Sequence, residues 1–594
     1  MNNQDSDRTD LNGNTTRRKF IGTAALSSAA LLGGGLTSLL SRSVLAAGDF
    51  QFVEATIPEL QDAMASGELT SAHLVRGYLE RIQSLNPLLH SVIQTNPLAV
   101  CIAQQLDEER RNGHIRGPLH GIPVLVKDNI ATEAEVCDGN ERTMQTTAGS
   151  LALVGSVVPG DAVIIRQLRN AGAVILGKTN LGEWANFRGS DIAYPLAVGW
   201  SARGGNTINA YNLSYTSWGS SAGSANGVAA NLCSVAVGTE TDGSITGPSA
   251  VECVVGLKPT LGLVSQQGII PISHQQDTAG PMGRSVTDVA ILLNTLKSPF
   301  GRVIGQPLPN DYTRFLRRGS LQGARIGRDV RYFDYSYYGS GIPGDASTVG
   351  FAEHALEVMK ELGATVVDCD TGDVFEYTDD EFTALLYEFK AQIAQYLATL
   401  TNTNMRTLAD LIRFNQVHCK RELVYYGQDI FELAEQTMGY PTNPMYVHAR
   451  NRAQYLARRG IDNALASHNL DAIVAPHLTN STGPAVAGYP NLSMPVGIRP
   501  PSGKPAGMLM YSTFLREPKL IGFAYDLEQR MQVRQQPQFL GSVIPVPNAD
   551  LCGQHAEAGR VFPGTAKMPA HNRIFSARES LELEHASRMN ILLA

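Results

Sequence analysis

Serines crowd the stretch S-W-G-S-S-A-G-S at 217–224, and another follows in T-E-T-D-G-S at 239–244. Gly219-Ser220-Ser221-Ala222-Gly223 fits G-x-S-x-G, in which a serine on a sharp strand-to-helix turn becomes a nucleophile. On that reading Ser221 attacks, as in a serine esterase of α/β-hydrolase type with a later Asp and His. Such an elbow needs a buried strand leading into the serine, and INAYNLSYTSW (208–218) contains no apolar run. Ser244 has better surroundings. GVAANLCSVAVG (227–238) reads as a small-residue helix passing into a strand, so Ser244 falls on a tight turn before a short helix. Successive backbone N–H groups on such a turn converge on one small space and suit a developing oxyanion.

A serine hydroxyl needs a base. His274 comes well after this region, so lysine is the other candidate, provided burial lowers its pKa toward neutrality. Lys127 in VLVKD, Lys178 in VILGKTN and Lys258 in VVGLKPT each end an apolar strand. Pattern alone does not choose among them. The plain alternative is that each snorkels at its strand end or pairs with an acid such as Asp128.

The elements that must position these residues alternate along the chain. GIPVLVKDNI (121–130) is a short apolar run ending in a charged turn, as in a buried strand. DAVIIRQLRNAGAVILGKTN (161–180) reads helix, glycine stop, strand, turn. Segments 351–370 and 450–476 repeat that grammar, and 55–86 has apolar residues at helical spacing. This alternation predicts an α/β class with helices on both faces of one large sheet. Segments 376–400 and 405–437 read as longer helices, a candidate cap over one face that would line the pocket between 376 and 445.

Taken together, GIPVLVKDNI, TTAGS (146–150), GKTN (177–180), GSSAGS (219–224), GTETDGSI (238–245), GLKPTLGLVS (256–265) and AGYPNLSMPVGI (487–498) resemble the amidase signature family. Within it the likeness is to peptide amidases, through GWSARGG (199–205), GLVSQQGIIPIS (262–273) and QDTAGPM (276–282). The resemblance implies a single large mixed sheet between helices, spanning 47–545, and no cofactor. It implies a Ser-Ser-Lys triad of Lys127, a bridging Ser220 held by a cis peptide, and the nucleophile Ser244. Thr241, Asp242, Gly243 and Ser244 match its oxyanion loop, and Ser221 is assigned to support the same loop. The implied reaction is hydrolysis of a carboxylic amide through an acyl-enzyme, with C-terminal peptide amides as substrate. Other small aliphatic or aryl amides, or an inactive fold that only binds peptides, are the alternatives. Asp242 stands where many members have glycine, and Thr246 where many have arginine, which argues against acidic substrates. Trp218 replaces a small residue and reads more readily as packing than as a pocket wall.

Composition bounds the rest. The 594 residues are 43% hydrophobic and 17% charged, with a net charge of −7. That is globular, and the acidic balance argues against a nucleic-acid surface. The histidines form no H-E-x-x-H cluster, so no metal is expected. Thr16-Arg17-Arg18-Lys19-Phe20-Ile21, a weakly apolar segment 21–40 and V-L-A-A-G at 44–48 resemble a twin-arginine export signal over 1–46. Export machinery is then a partner, the location is periplasmic or secreted, and no stable membrane anchor is expected. Seven cysteines without C-x-x-C spacing read mostly as buried thiols, with room for one disulfide. Residues 546–594 form a polar C-terminal extension.

Overall fold

The apolar runs that end at Lys127 and Glu240 lie side by side in the middle of the molecule. In the computed structural model, residues 50–190, 195–334, 346–549 and 551–552 are described. The export-signal segment 1–46, the expected start of the mature chain and most of the C-terminal extension lie outside them. Eleven strands form the main sheet: β1 (Val92–Thr95), β2 (Pro123–Lys127), β3 (Val174–Thr179), β4 (Val235–Glu240), β5 (Val255–Lys258), β6 (Thr278–Gly283), β7 (Arg325–Asp329), β8 (Thr365–Cys369), β9 (Ala472–Pro476), β10 (Asn491–Arg499) and β11 (Lys504–Tyr511). Their order is β1-β3-β2-β4-β6-β5-β10-β11-β9-β7-β8. The sheet is mixed: β2 runs parallel to both β3 and β4, whereas β4, β6 and β5 are antiparallel neighbours. Every residue of β2, β3 and β4 is buried, which is why those strands read as continuous apolar runs rather than alternating ones.

Parallel pairing decides where the chemistry sits. Val126 is in register with Val237, so Lys127 and the residues after Glu240 leave the sheet at the same end. The carboxyl ends of parallel strands are where open α/β sheets place their ligands. Ser220 and Ser221 reach that end from the N-terminus of the helix Ala222–Ala229, which is buried throughout and leads into β4.

The helices follow the sequence pattern with two differences. Segment 55–86 resolves into Ile57–Ser66 and Ser71–Leu89, because Gly67 takes a left-handed conformation at the end of the first, a C-terminal stop that glycine adopts without steric cost. Segment 376–400 is one helix, Thr378–Thr399, but 405–437 breaks into Leu408–Val417, Cys419–Glu422 and Asp429–Glu435. The break comes where buried Arg188 captures the intervening chain. Its Nε and Nη2 donate to the carbonyls of Gly427 and Tyr426 at 3.0 and 2.9 Å, and its guanidinium pairs with Glu183 beside Glu422. Chain carbonyls given to Arg188 are lost to a continuous helix. Burial, and then the charge of Glu422, push the Glu183 carboxyl well above the carboxylate range.

The cysteines differ from expectation by one bridge. Cys101 pairs with Cys137 and Cys419 with Cys552, while Cys233, Cys253 and Cys369 are buried thiols. The second bridge, together with the bond from Ala549 N–H to the Val424 carbonyl, ties the start of the C-terminal extension to the 419–424 segment. Among the described residues no helix is long and apolar enough to cross a membrane.

Candidate active site

Lys127 is wholly buried at the end of β2, and its Nζ sits among four oxygens. It lies 2.7 Å from Ser220 Oγ, 2.9 Å from Ser221 Oγ, 2.9 Å from Thr239 Oγ1 and 3.1 Å from the Thr239 carbonyl. Removal from water disfavours the ammonium form. Burial lowers the Lys127 pKa to about 7, against the opposing charges of Glu240 and Asp277. Near neutral pH the amine is therefore available in both states. Its neutral form has two protons for the Thr239 and Ser221 oxygens and one lone pair that can accept from Ser220.

Lys178 and Lys258 occupy equally buried strand ends, yet neither meets a serine. Lys178 Nζ bonds the Ile130 carbonyl and Thr146 Oγ1, and Lys258 Nζ lies 3.3 Å from the Pro259 carbonyl. Burial lowers each to about 8. The three lysines are thus alike in burial and separated by their neighbours alone.

The peptide bond between Gly219 and Ser220 is cis, as the family resemblance implies. Ser220 is fully buried below the cavity floor, with its carbonyl accepting from Gly182 N–H at 3.0 Å. Ser221 does not serve the oxyanion loop, contrary to expectation. Its hydroxyl donates to the Thr239 carbonyl at 3.0 Å and accepts from Thr239 N–H at 3.2 Å, and its own N–H donates to the Ser244 carbonyl at 3.1 Å. It is fully buried, and no strand runs into it. The elbow reading therefore fails on access as well as on context. Ser221 is a bracket that joins Lys127, β4 and the Ser244 turn.

Ser244 lies on the loop 241–244, between β4 and the helix Thr246–Val251, and lines a cavity of about 220 Å³ together with Thr241, Asp242 and Gly243. Gly243 has φ of +70°, and a Cβ there would stand 3.0 Å from Ser481 Oγ, so the turn requires glycine. Among the described residues the backbone N–H groups of Gly243 and Ser244 meet no acceptor. They form a pair of donors at the cavity wall.

Several residues that hold this loop escaped the sequence reading. Glu240 Oε2 accepts from Ile245 N–H at 2.6 Å, Thr246 N–H at 2.8 Å and Thr246 Oγ1 at 3.1 Å, clamping the chain just after Ser244. Thr246 thus serves the clamp rather than the cavity. Asp277 Oδ1 accepts from Thr241 Oγ1 at 2.6 Å, and burial pushes its carboxyl up to about 7. Asp242 Oδ2 accepts from Thr482 Oγ1 at 2.6 Å, which fixes the side chain against the far rim. The signal for Asp277 lay in QDTAGPM, but only tertiary placement shows what it touches.

The cavity wall comes from the segment read as a cap and from a loop that was not. Phe375, Thr378, Glu381, Phe382 and Leu385 enter from the start of the helix Thr378–Thr399, and Leu478–Thr482 from beyond β9. Trp218 does two things: it packs against Tyr215, Val251 and Leu478, and it also lines the cavity. A Cβ at Gly247 would come within 2.5 Å of the Trp218 ring, so that glycine makes room for the indole.

The family model described as Amidase matches residues 73–485. An Arabidopsis thaliana protein named as a probable amidase is 38% identical over 505 residues, covering 83% of this chain and 93% of its own. The native peptide amidase of Stenotrophomonas maltophilia, solved by X-ray, is 45% identical with a TM-score of 0.74, covering 82% of this chain and 99% of its own. An amidase family protein of Bacillus anthracis is 33% identical with a TM-score of 0.73, covering 82% and 93%.

Proposed function

The chain belongs to the amidase family and is an amide-hydrolysing enzyme, and from that premise we propose that it releases ammonia from C-terminal peptide amides by a Ser244–Ser220–Lys127 relay. The observation that carries the relay is the 2.7 Å contact between Ser220 and a buried lysine whose pKa lies near 7. Neutral Lys127 takes the proton of Ser220, and Ser220 takes that of Ser244 as Oγ attacks the amide carbonyl. The N–H groups of Gly243 and Ser244 receive the oxyanion; removing one such donor typically costs about 3 kcal/mol of transition-state stabilisation. The relayed proton returns through Ser220 to the leaving nitrogen, the C–N bond breaks and ammonia departs. Water, deprotonated by the same relay, then attacks the acyl ester; the C–O bond breaks and Ser244 recovers its proton.

The substrate reading is supported by the 45% identity to a peptide amidase and by a cavity that is apolar on one wall and polar on the other. Its test is ammonia release from a panel of C-terminal peptide amides, aliphatic amides and aryl amides. The peptide amides are expected to exceed the others in kcat/KM by roughly tenfold or more. A panel in which simple aliphatic or aryl amides lead would reject it, and no turnover of any amide would favour the binding-only alternative.

We also propose export by the twin-arginine route. Arg17-Arg18 supports it, and so do the two disulfides, since thiols stay reduced in most cytosols. Replacing Arg17 and Arg18 together by lysine is expected to leave the protein in the cytoplasm with residues 1–46 attached. N-terminal sequencing of the exported wild type should begin near Ala47 or Gly48. Unchanged export of the double variant would rule the route out.

A further inference from the structure

Glu381 is a buried acid that faces Ser244 across the cavity and has no part in the proton relay. It sits in the first turn of the helix Thr378–Thr399. Gln276 fixes it: one amide nitrogen, Nε2, donates both to Glu381 Oε1 and to the Thr241 carbonyl, the latter at 3.1 Å. The acid is thereby joined to the loop that carries the nucleophile. Its Oε2 makes no hydrogen bond among the described residues. Burial, followed by the nearby charge of Asp242, pushes the Glu381 carboxyl well above the usual carboxylate range. It is therefore a neutral carboxylic acid near pH 7, a donor as well as an acceptor.

Asp242 and Glu381 thus offer the cavity two complementary groups, a carboxylate that accepts and a carboxyl that donates. Phe187, Phe382 and Leu385 supply an apolar wall to the same cavity. A secondary amide beside an apolar side chain matches this arrangement: an N–H, a C=O and a hydrophobic substituent. An ammonium group matches it less well, because the surroundings that keep Glu381 protonated also oppose a buried cation.

Resting on the reading of the enzyme as a peptide amidase, we propose that Asp242 and Glu381 bind the backbone amide that precedes the scissile group. Asp242 accepts from its N–H, and Glu381 donates to its C=O. The substrate class is then N-acylated amino-acid amides with an apolar side chain, in preference to free amino-acid amides and to amides that lack the preceding peptide unit.

The test compares N-acetylphenylalaninamide with 3-phenylpropanamide, which keeps the ring and the scissile amide but lacks the acylamino group. Wild type is expected to favour the acylated substrate by roughly a hundredfold in kcat/KM, the scale at which unpaired polar groups in a site discriminate. Glu381→Leu should cut that preference roughly tenfold or more, chiefly through KM, and Glu381→Gln, which still donates, should restore most of it. Methylating the nitrogen of the acylamino group should cut turnover by wild type to a similar extent, since it removes the donor to Asp242. An equal loss on both substrates in Glu381→Leu would mark the residue as merely structural and overturn the proposal. So would a Gln variant, folded by circular dichroism, that behaves like Leu, or an N-methyl substrate turned over as well as its parent. Failure of the peptide-amidase reading looks different: wild type would then release no ammonia from N-acetylphenylalaninamide at all.

Discussion

Ser244→Ala is expected to lower kcat/KM by roughly four to six orders of magnitude, the scale seen when the nucleophile of a serine hydrolase is removed. The loss should appear without a comparable loss of stability. Among the described residues the Ser244 hydroxyl makes no hydrogen bond, and the turn is held by other groups: Glu240 beyond it, Asp277 through Thr241, and Ser221 through the Ser244 carbonyl. A fluorophosphonate probe followed by peptide mapping should tag Ser244 in wild type and leave Ser221 untouched. Ser221→Ala provides the contrast. It removes a partner of Lys127 and of the Thr239 N–H, so its first effect is on stability, at about 1–3 kcal/mol for buried groups left unsatisfied. The probe should still tag Ser244 in that variant. A tag on Ser221, or full turnover by Ser244→Ala, would return the assignment to the elbow reading.

That contrast shows where sequence reasoning was sufficient and where it was not. The strands ending at Lys127, Lys178, Glu240 and Lys258 were legible because burial on both faces forces short continuous apolar runs. The turn at Ser244 was legible because a strand ended and a helix began within a few residues. The choice among three lysines was not. All three are buried strand ends, and what separates them is a set of contacts between segments far apart in the chain: Ser220, Ser221 and Thr239 around Lys127, a carbonyl and a threonine around Lys178, and a neighbouring carbonyl beside Lys258. Only the family resemblance pointed to the right one. Ser221 was placed with the oxyanion loop because it adjoins Ser220 in sequence. The backbone reverses between them, so Ser221 turns inward to Thr239. Glu381 carried no local signal, since an acid in the first turn of a helix is ordinary. Its surroundings come from Asp242 and Gln276, which the sheet brings to it.

Lys127 carries the second large expectation, and it concerns charge rather than contact. Only a neutral amine can accept the Ser220 proton, so with the folded pKa at about 7 the active fraction falls tenfold for each pH unit below that value. Activity should therefore rise from pH 5 through 7 and level off above about pH 8. Removing Asp277's negative charge with Asp277→Asn takes away a group that stabilises the ammonium form, so the acid limb should move to lower pH. A rate that stays flat from acid to alkaline pH, in protein still folded, would sink the relay. Lys127→Met removes the base and should cost roughly 10³-fold or more in kcat/KM. Lys127→Arg is the sharper test, because it keeps the positive charge and hydrogen-bonding capacity. A guanidinium does not lose its proton in a protein, so arginine can hold Ser220 and Thr239 but cannot take a proton from either. If the Lys127→Arg variant kept substantial activity, the lysine's role would be to position Ser220, and the proton would have to travel elsewhere. Loss in both variants, together with an acid limb that moves when Asp277 is neutralised, would leave proton acceptance by Lys127 as the step that the burial of β2 exists to permit.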